Sequence, residues 1–95
     1  MVTLTATWRA KPGNEQLCRE ILELMTPLTR AEPGCLFYQA HQSGDDPGLF
    51  ILYEQYVDAA ALEAHSLSEH FKEHVLGKAV PLLESRFRTL MTPIG

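Results

Sequence analysis

The stretch VTLTATWR, residues 2–9, alternates strictly between apolar and polar side chains. Strict alternation is typical of a β-strand with one buried face, because successive side chains of a strand point to opposite sides of the sheet. We therefore predict a first strand here, with Val2, Leu4, Ala6 and Trp8 on its buried face and the threonines and Arg9 on the other.

The segment after this strand has the pattern of an amphipathic helix. The sequence KPGN at residues 11–14 breaks the strand, and Asn14 is a favourable helix N-cap. Pro27 is expected to distort the last turns, and Glu-Pro-Gly at residues 32–34 to end the segment. The apolar stripe expected to face the core consists of Leu17, Ile21, Leu24, Met25 and Leu28.

The remaining chain predicts a hairpin, a broken helical region and a last strand. The β-rich runs 35–42 and 49–57 flank a turn-rich loop of six residues, SGDDPG, which favours antiparallel pairing. Asp58 is expected to cap a short helix over 59–65, and Ser66 with Glu69 to form a capping box that opens a further helix. Residues 85–91 complete a β-α-β-β-α-β order. This order predicts an α+β, ferredoxin-like fold with one antiparallel four-stranded sheet and a single domain over residues 1–95.

Alternation along the predicted strands assigns a side of the sheet to each strand residue. The helix-facing side is expected to carry Val2, Leu4, Ala6, Trp8, Leu36, Tyr38, Ala40, Phe50, Leu52, Glu54, Tyr56, Phe87 and Met91. The opposite side is expected to carry Thr3, Thr5, Thr7, Phe37, Gln39, His41, Leu49, Ile51, Tyr53, Gln55 and Leu90. This second side is too apolar to remain in water, so we predict a homodimer formed through the sheet faces.

Composition excludes several classes of partner. The chain has 95 residues and a formal net charge of −4, with no cluster of Lys or Arg, so nucleic acid is not an expected partner. No apolar run approaches the length of a membrane span, and the N-terminus lacks the pattern of a secretory signal, so we expect a cytoplasmic protein that does not bind membranes. The two cysteines, Cys18 and Cys35, lack the spacing of a zinc site or a disulfide framework.

Four histidines and one carboxylate are the candidates for acid–base chemistry. His65 ends the predicted short helix, where it either lies at the rim of a pocket or simply stabilises the helix C-terminus. His70 and His74 are four residues apart on one predicted helix, but no third ligand is placed by spacing, so no metal site is predicted. Glu54 is expected to point into the core, where it needs a histidine or the Trp8 indole as partner, unless a bulge turns it outward.

Aromatic side chains are the candidates for holding a substrate. A cavity lined by such rings and a few histidines suits a flat, apolar ligand with hydroxyl or keto groups. No nucleotide-binding, dinucleotide-binding or nucleophile-elbow motif is present, so no cofactor is predicted. The rings expected between sheet and helices are Trp8, Tyr38, Phe50, Phe71 and Phe87.

Three stretches resemble the antibiotic biosynthesis monooxygenase family, which includes small quinol monooxygenases. They are AEPGCL at 31–36, FILYEQY at 50–56 and LEAHSLSEHF at 62–71. The resemblance implies a homodimer whose two sheets pack into an α/β barrel, with a pocket in each subunit. It also implies oxidation of a quinol or polycyclic phenol by O₂ without metal or flavin, because the electron-rich substrate itself reduces oxygen.

On this resemblance, His65 is the leading general base and His70 a second base or hydrogen-bond donor. Glu54 would orient one of them or stabilise its charge. The aromatic residues named above would hold the substrate ring, with Tyr38 also offering a hydroxyl.

Other readings of the resemblance remain open. Haem-degrading relatives use an asparagine on the first strand and a tryptophan in the helical region, whereas here Asn14 lies in a loop and Trp8 on the first strand. A similar branch isomerises a small phosphorylated signalling sugar and would need a cationic anchor at the cavity mouth, for which the nearby candidates are Lys72, Lys78, Arg86 and Arg88. A dimer that binds a small ligand without turnover is the third possibility.

Overall fold

The computed structural model describes residues 1–95, and its elements follow the predicted β-α-β-β-α-β order. The chain thus has the predicted ferredoxin-like α+β fold. No helix is long and apolar enough to span a lipid bilayer. The elements are β1 (Val2–Ala10), α1 (Glu15–Arg30), β2 (Cys35–Gln42), β3 (Leu49–Tyr56), α2 (Ala59–Leu67), a π-helix (Phe71–Ala79), a short 3₁₀ turn (Val80–Leu82) and β4 (Leu83–Met91).

The four strands form one antiparallel sheet in the order β2-β3-β1-β4. β1 is central and places Leu4 opposite Glu54 on β3 and opposite Leu90 on β4. Paired residues of neighbouring strands share a face of the sheet, so the register fixes which side chains point towards the helices.

The register corrects the predicted orientation of β4. Phe87 pairs with Thr7 and Met91 with Thr3, so both lie on the side of the sheet away from the helices, while Leu90 lies on the helix side. Apolar residues occur at both odd and even positions of this strand, so the hydropathy pattern does not specify which of its sides faces the helices. Leu36 is likewise not on the helix-facing side, because a bulge between Cys35 and Phe37 leaves it unpaired and exposed.

The buried stripe of α1 agrees with the predicted one at Met25, which is buried, and at Ile21, which packs against the core, but differs elsewhere. The helix begins after Asn14, as expected, but the Asn14 side chain makes no capping hydrogen bond. Apolar residues occupy two adjacent stripes of this helix, and the sheet packs against the one that contains Cys18, Leu22 and Met25. The buried residues are Cys18, Leu22, Met25 and Thr29, whereas Leu17, Leu24 and Leu28 are exposed.

The predicted N-cap of α2 is confirmed, whereas the predicted N-cap of the following helix is wrong. The Asp58 carboxylate accepts a hydrogen bond from the Ala61 N–H at 2.8 Å, as predicted. The second cap is Ser68 rather than Ser66, because α2 continues to Leu67 and the Ser68 hydroxyl accepts from the Phe71 N–H at 3.2 Å. The Ser68 hydroxyl also donates to the His65 carbonyl at 2.7 Å and so joins the two helices.

The helix after this cap is a π-helix, which the sequence pattern did not indicate. Its C-terminal end shows the wide hydrogen-bonding pattern, since the Val80 N–H donates to the Val75 carbonyl five residues back. Val75 and Ala79 face the core, where they pack with Trp8, Tyr38 and other buried residues of the sheet and α1. This packing leaves a space between the sheet and the region where α2 meets the π-helix.

Candidate active site

A cavity of about 540 Å³ lies between the helix-facing side of the sheet and the α2/π-helix junction. Its wall is mostly hydrophobic, and the polar groups that reach it include Tyr38, Glu54 and His65. Such a volume, with few polar groups in an apolar wall, is typical of a small-molecule binding site.

His65 is held in this wall by the last turn of α2 and by aromatic neighbours. Its side chain is 5% exposed. The centroid of the His65 ring lies 5.3 Å from the centroid of the Tyr56 ring. It lies 5.1 Å from the centroid of the Phe71 ring, and these two rings pack edge to face. These contacts leave the imidazole few alternative orientations, so its two nitrogens have defined neighbours.

The Glu32 carboxylate connects two histidines through a single oxygen. Glu32 Oε2 lies 2.8 Å from His65 Nδ1 and 2.6 Å from His70 Nε2. Because an ionised carboxylate only accepts hydrogen bonds, each ring must carry its hydrogen on the nitrogen that faces Glu32. A neutral His65 therefore has an unprotonated Nε2, and this is the nitrogen on the side of Glu54.

Glu54 lies on β3 and points into the core, 4% exposed, with Tyr56 as its partner. The Tyr56 hydroxyl donates to Glu54 Oε1 at 2.6 Å, and His65 Nε2 lies 3.8 Å from the same oxygen. The predicted histidine neighbour of Glu54 is His65, whereas Tyr56, which donates the hydrogen bond, was not considered in the sequence prediction. Burial raises the pKa of the Glu54 carboxyl, an effect opposed by the Tyr56 hydrogen bond and by the neighbouring His65.

The two buried tyrosines remain neutral hydroxyl groups. Burial raises the pKa of both Tyr38 and Tyr56, and the nearby Glu54 carboxyl raises it further. Tyr38 lines the cavity, so its side chain can contact a bound ligand.

Two arginines of the edge strand β4 complete the cavity wall. Arg86 and Arg88 both line it, and the Arg86 guanidinium lies 5.8 Å from the centroid of the Phe71 ring. The charge of Arg88 acts to lower the pKa of Glu54, although burial outweighs it. The mostly apolar cavity thus has positive charge along one side, in addition to the Glu54 carboxyl group.

The predicted site residues are distributed as follows. Trp8, Tyr38 and Phe71 line the cavity with His65 and Glu54. Phe87 also borders it, but its pairing with Thr7 turns the side chain to the far side of the sheet, so we assign its contribution to the strand backbone.

Two predicted residues lie away from the wall. Phe50 is buried in the core and borders a smaller depression of about 170 Å³ beside α1. His70 does not line the cavity and reaches the site only through Glu32.

Glu32 and Tyr56 are functional candidates that the sequence analysis did not identify. Glu32 is part of the Glu-Pro-Gly stop signal, and no local pattern connects it to His65, 33 residues away. Tyr56 had a usable signal, because it follows Glu54 by two residues on a strand and therefore shares its face of the sheet.

Comparison with known proteins identifies the family. A family model described as "Antibiotic biosynthesis monooxygenase" matches residues 1–75. The chain is 34% identical over 70 residues to "Putative monooxygenase Rv0793" of Mycobacterium tuberculosis, an alignment that covers 74% of this chain and 68% of that protein. The chain therefore belongs to the antibiotic biosynthesis monooxygenase family.

Solved structures agree with this assignment. PA3566 from Pseudomonas aeruginosa superposes with a TM-score of 0.93 at 35% identity, covering 99% of this chain and 94% of that one. A structure described as an antibiotic biosynthesis monooxygenase gives a TM-score of 0.92 at 28% identity and covers 100% of both chains. The match over the whole chain includes β4, which lies outside the residues that the family model matches.

Proposed function

We propose that this protein is a cofactor-independent monooxygenase that oxidises a quinol or polycyclic phenol with O₂. The observation that carries the proposal is the Glu32–His65 hydrogen bond, which in the neutral ring leaves Nε2 as a proton acceptor at a mostly apolar cavity. Family membership supports the reaction class, and the aromatic wall supports a flat substrate.

In the proposed reaction, His65 Nε2 accepts the proton of a substrate hydroxyl. The phenolate that forms is electron-rich enough to reduce O₂ directly. The imidazolium produced on His65 is stabilised by Glu32, 2.8 Å from Nδ1, in the way that a carboxylate orients and stabilises a histidine base in a catalytic triad. The Tyr38 hydroxyl donates to a substrate oxygen, and the apolar wall excludes water.

The proposed chemistry balances without an external reductant. A hydroxyanthrone ring methylene and O₂ give a ring carbonyl and water, and a quinol and O₂ give a hydroxyquinone and water. In either case one oxygen atom enters the product and the other leaves as water. The substrate supplies all four electrons, two to each oxygen atom. We accordingly propose no metal, flavin or nicotinamide for the reaction itself.

The test is oxygen uptake by the purified protein in the presence of a chelator, with a panel of quinols and hydroxyanthrones. We expect saturable uptake that falls at least about a hundredfold in His65→Ala, because a positioned general base contributes a factor of that order. The matched control is Glu63→Ala, since Glu63 is exposed on the same helix α2. Equal rates for His65→Ala and the wild type would exclude His65 as the base.

The side of the sheet away from the helices supports a homodimer as part of the proposal. Phe37, Ile51 and Phe87 are 47%, 41% and 58% exposed on this side. An apolar sheet surface of this kind is covered in stable proteins, and a second copy of the same surface is the simplest complementary partner.

The arginines of β4 favour a second candidate function, isomerisation of a small phosphorylated sugar. Arg86 and Arg88 provide the cationic anchor that such a substrate needs, and His65 is the base for enolisation. If the quinol panel gives no uptake above background, phosphorylated ketoses are the next substrates to assay. Binding of either class without turnover would instead indicate a ligand-binding dimer.

A further inference from the structure

We propose that Glu32, His65 and His70 form a binding site for a divalent transition-metal ion of the zinc type, and that the bound ion inactivates His65 as a base. The first half of this proposal concerns binding alone. The second half rests on the proposed function, because it requires His65 Nε2 to be the proton acceptor.

The three side chains converge at one point. Their candidate ligand atoms all lie within 4.8 Å of one another. Two imidazole nitrogens face the same carboxylate oxygen at 2.8 and 2.6 Å. Zinc binds histidine nitrogen and carboxylate oxygen at about 2.0–2.2 Å, which places neighbouring ligand atoms of a tetrahedral site about 3.4 Å apart. A small widening of the present hydrogen-bonded arrangement therefore admits an ion.

The protein holds these ligands in place without an ion. Glu32 lies in the turn after α1, where its N–H donates to the Thr29 carbonyl and its carbonyl accepts from the Cys35 N–H. His65 is fixed in α2, and His70 immediately precedes the π-helix. Since three separate segments are already oriented by the fold, the entropic cost of assembling the site is small.

The ligand types select the class of metal. Two imidazoles and one carboxylate match the three-ligand His₂Glu set of zinc sites that keep an open coordination position, whereas Mg²⁺ and Ca²⁺ prefer oxygen ligands. The side chains of His65, Glu32 and His70 are 5%, 14% and 20% exposed, so the site is largely sheltered yet accessible. His74 is not part of this cluster, because its Nε2 faces Glu73 at 3.7 Å.

Metal binding changes the tautomer of His65. The ion takes the lone pair of Nδ1, the nitrogen that donates to Glu32 in the free protein. A neutral imidazole has one N–H hydrogen, so this hydrogen must then reside on Nε2. The cavity-side nitrogen is converted from a proton acceptor into a donor, while the total number of protons on the ring is unchanged. In the proposed oxygenation, the metal-bound protein is therefore inactive.

The binding experiment uses protein freed of metal by a chelator that is then removed. Zn²⁺ is titrated by calorimetry, and Co²⁺ by its visible absorption, which reports nitrogen and oxygen ligation. We expect one ion per chain in the wild type and at least tenfold weaker binding in His70→Ala and in Glu32→Gln. His41→Ala and His74→Ala are the matched controls and should bind as tightly as the wild type. Circular dichroism verifies that each variant is folded.

Several results would overturn the proposal. Equal affinities in the wild type and His70→Ala would show that the ion binds elsewhere, and so would a loss of binding in His41→Ala. Should Glu32→Gln fail to fold, His70→Ala still decides the question, because His70 is the most exposed of the three ligands and its only hydrogen bond among them is to Glu32.

The inhibition experiment separates this proposal from the proposed function. Zn²⁺ is added to the oxygen-uptake assay without chelator, and inhibition should follow the occupancy measured by calorimetry. In His70→Ala, the zinc concentration that halves the remaining activity should rise at least tenfold. Tight binding without inhibition would retain the metal site and refute the role of His65 as base. Absence of tight binding would refute the metal site whatever the assay shows.

Discussion

At the scale of single residues, the site depends on two carboxyl groups with different surroundings. Glu32 is hydrogen-bonded to two histidines, whereas Glu54 is buried against a tyrosine hydroxyl. Different environments give chemically identical groups different roles, so each carboxyl group makes its own prediction.

Replacing Glu32 by glutamine should lower the turnover number by a factor of about 10 to 100, the range typical when a partner that orients a functional histidine is removed. The amide keeps the shape of the side chain but cannot stabilise an imidazolium with negative charge. The turnover number is measured by oxygen uptake at saturating substrate, with Glu63→Gln on the exposed side of α2 as the control. An unchanged turnover number would show that Glu32 does not assist His65.

Glu54 should make stability depend on pH. Because burial raises its pKa in the folded protein, protonation favours the folded state. Its contribution to the free energy of unfolding is therefore fully present below the ordinary carboxyl pKa. This contribution is lost as the pH rises through the raised pKa that Glu54 has in the folded protein. Urea unfolding of the wild type and Glu54→Gln between pH 4 and pH 8, about the range over which raised carboxyl groups titrate, tests this.

We expect Glu54→Gln to flatten this pH dependence, since the amide still accepts from Tyr56 but does not titrate. Glu73→Gln is the control, because the Glu73 side chain is 65% exposed. If Glu54→Gln and the wild type lose stability in parallel as the pH rises, the pH dependence has another source.

The positions of single residues were predicted correctly from sequence where a local rule applied. Glu54 was identified by strand alternation, and His65 by its place at the end of a short helix. Glu32 was missed because its role arises only from tertiary contacts with residues more than 30 positions away. Single-sequence patterns carry no information about such contacts.

At the scale of elements, Ser68 joins α2 to the π-helix. Ser68→Ala removes both the bond from the Phe71 N–H and the bond to the His65 carbonyl. We expect a loss of about 1 kcal/mol in the free energy of unfolding, the typical effect of deleting a helix cap. Ser66→Ala should cost less, because the Ser66 hydroxyl only donates to the Leu62 carbonyl of its own helix.

Urea unfolding of the two serine variants measures this difference. A larger loss for Ser66→Ala would restore Ser66 as the principal cap, as the capping-box pattern suggested.

The existence and order of the helices and strands were predictable from the sequence. Which face of each element is buried was not always predictable. Breakers and alternation mark β1, α1 and the hairpin unambiguously, since these signals are local. α1 has two adjacent apolar stripes, and β4 has apolar residues at both odd and even positions, which point to opposite sides of the sheet. In both cases the choice of buried face is made by packing against the rest of the fold.

At the scale of the whole molecule, the exposed apolar side of the sheet predicts self-association. Ile51→Lys places a charge in the middle of this surface, on β3, and should shift the protein from dimer to monomer. Light scattering coupled to size-exclusion chromatography measures the mass. Leu24→Lys on α1 is the control, because Leu24 is 46% exposed but lies outside the sheet. Equal masses for Ile51→Lys and the wild type would argue against a dimer through this surface.

The shared oxygen of Glu32 also affects the motions of the chain. Through that atom, hydrogen bonds link the turn after α1 to α2 and to the residue before the π-helix. Local opening of either helix must break a charge-assisted hydrogen bond, so amide hydrogen exchange in these helices should speed up together when Glu32 is neutralised. Exchange rates of backbone amides in α2 thus report, without any substrate, whether this link is intact.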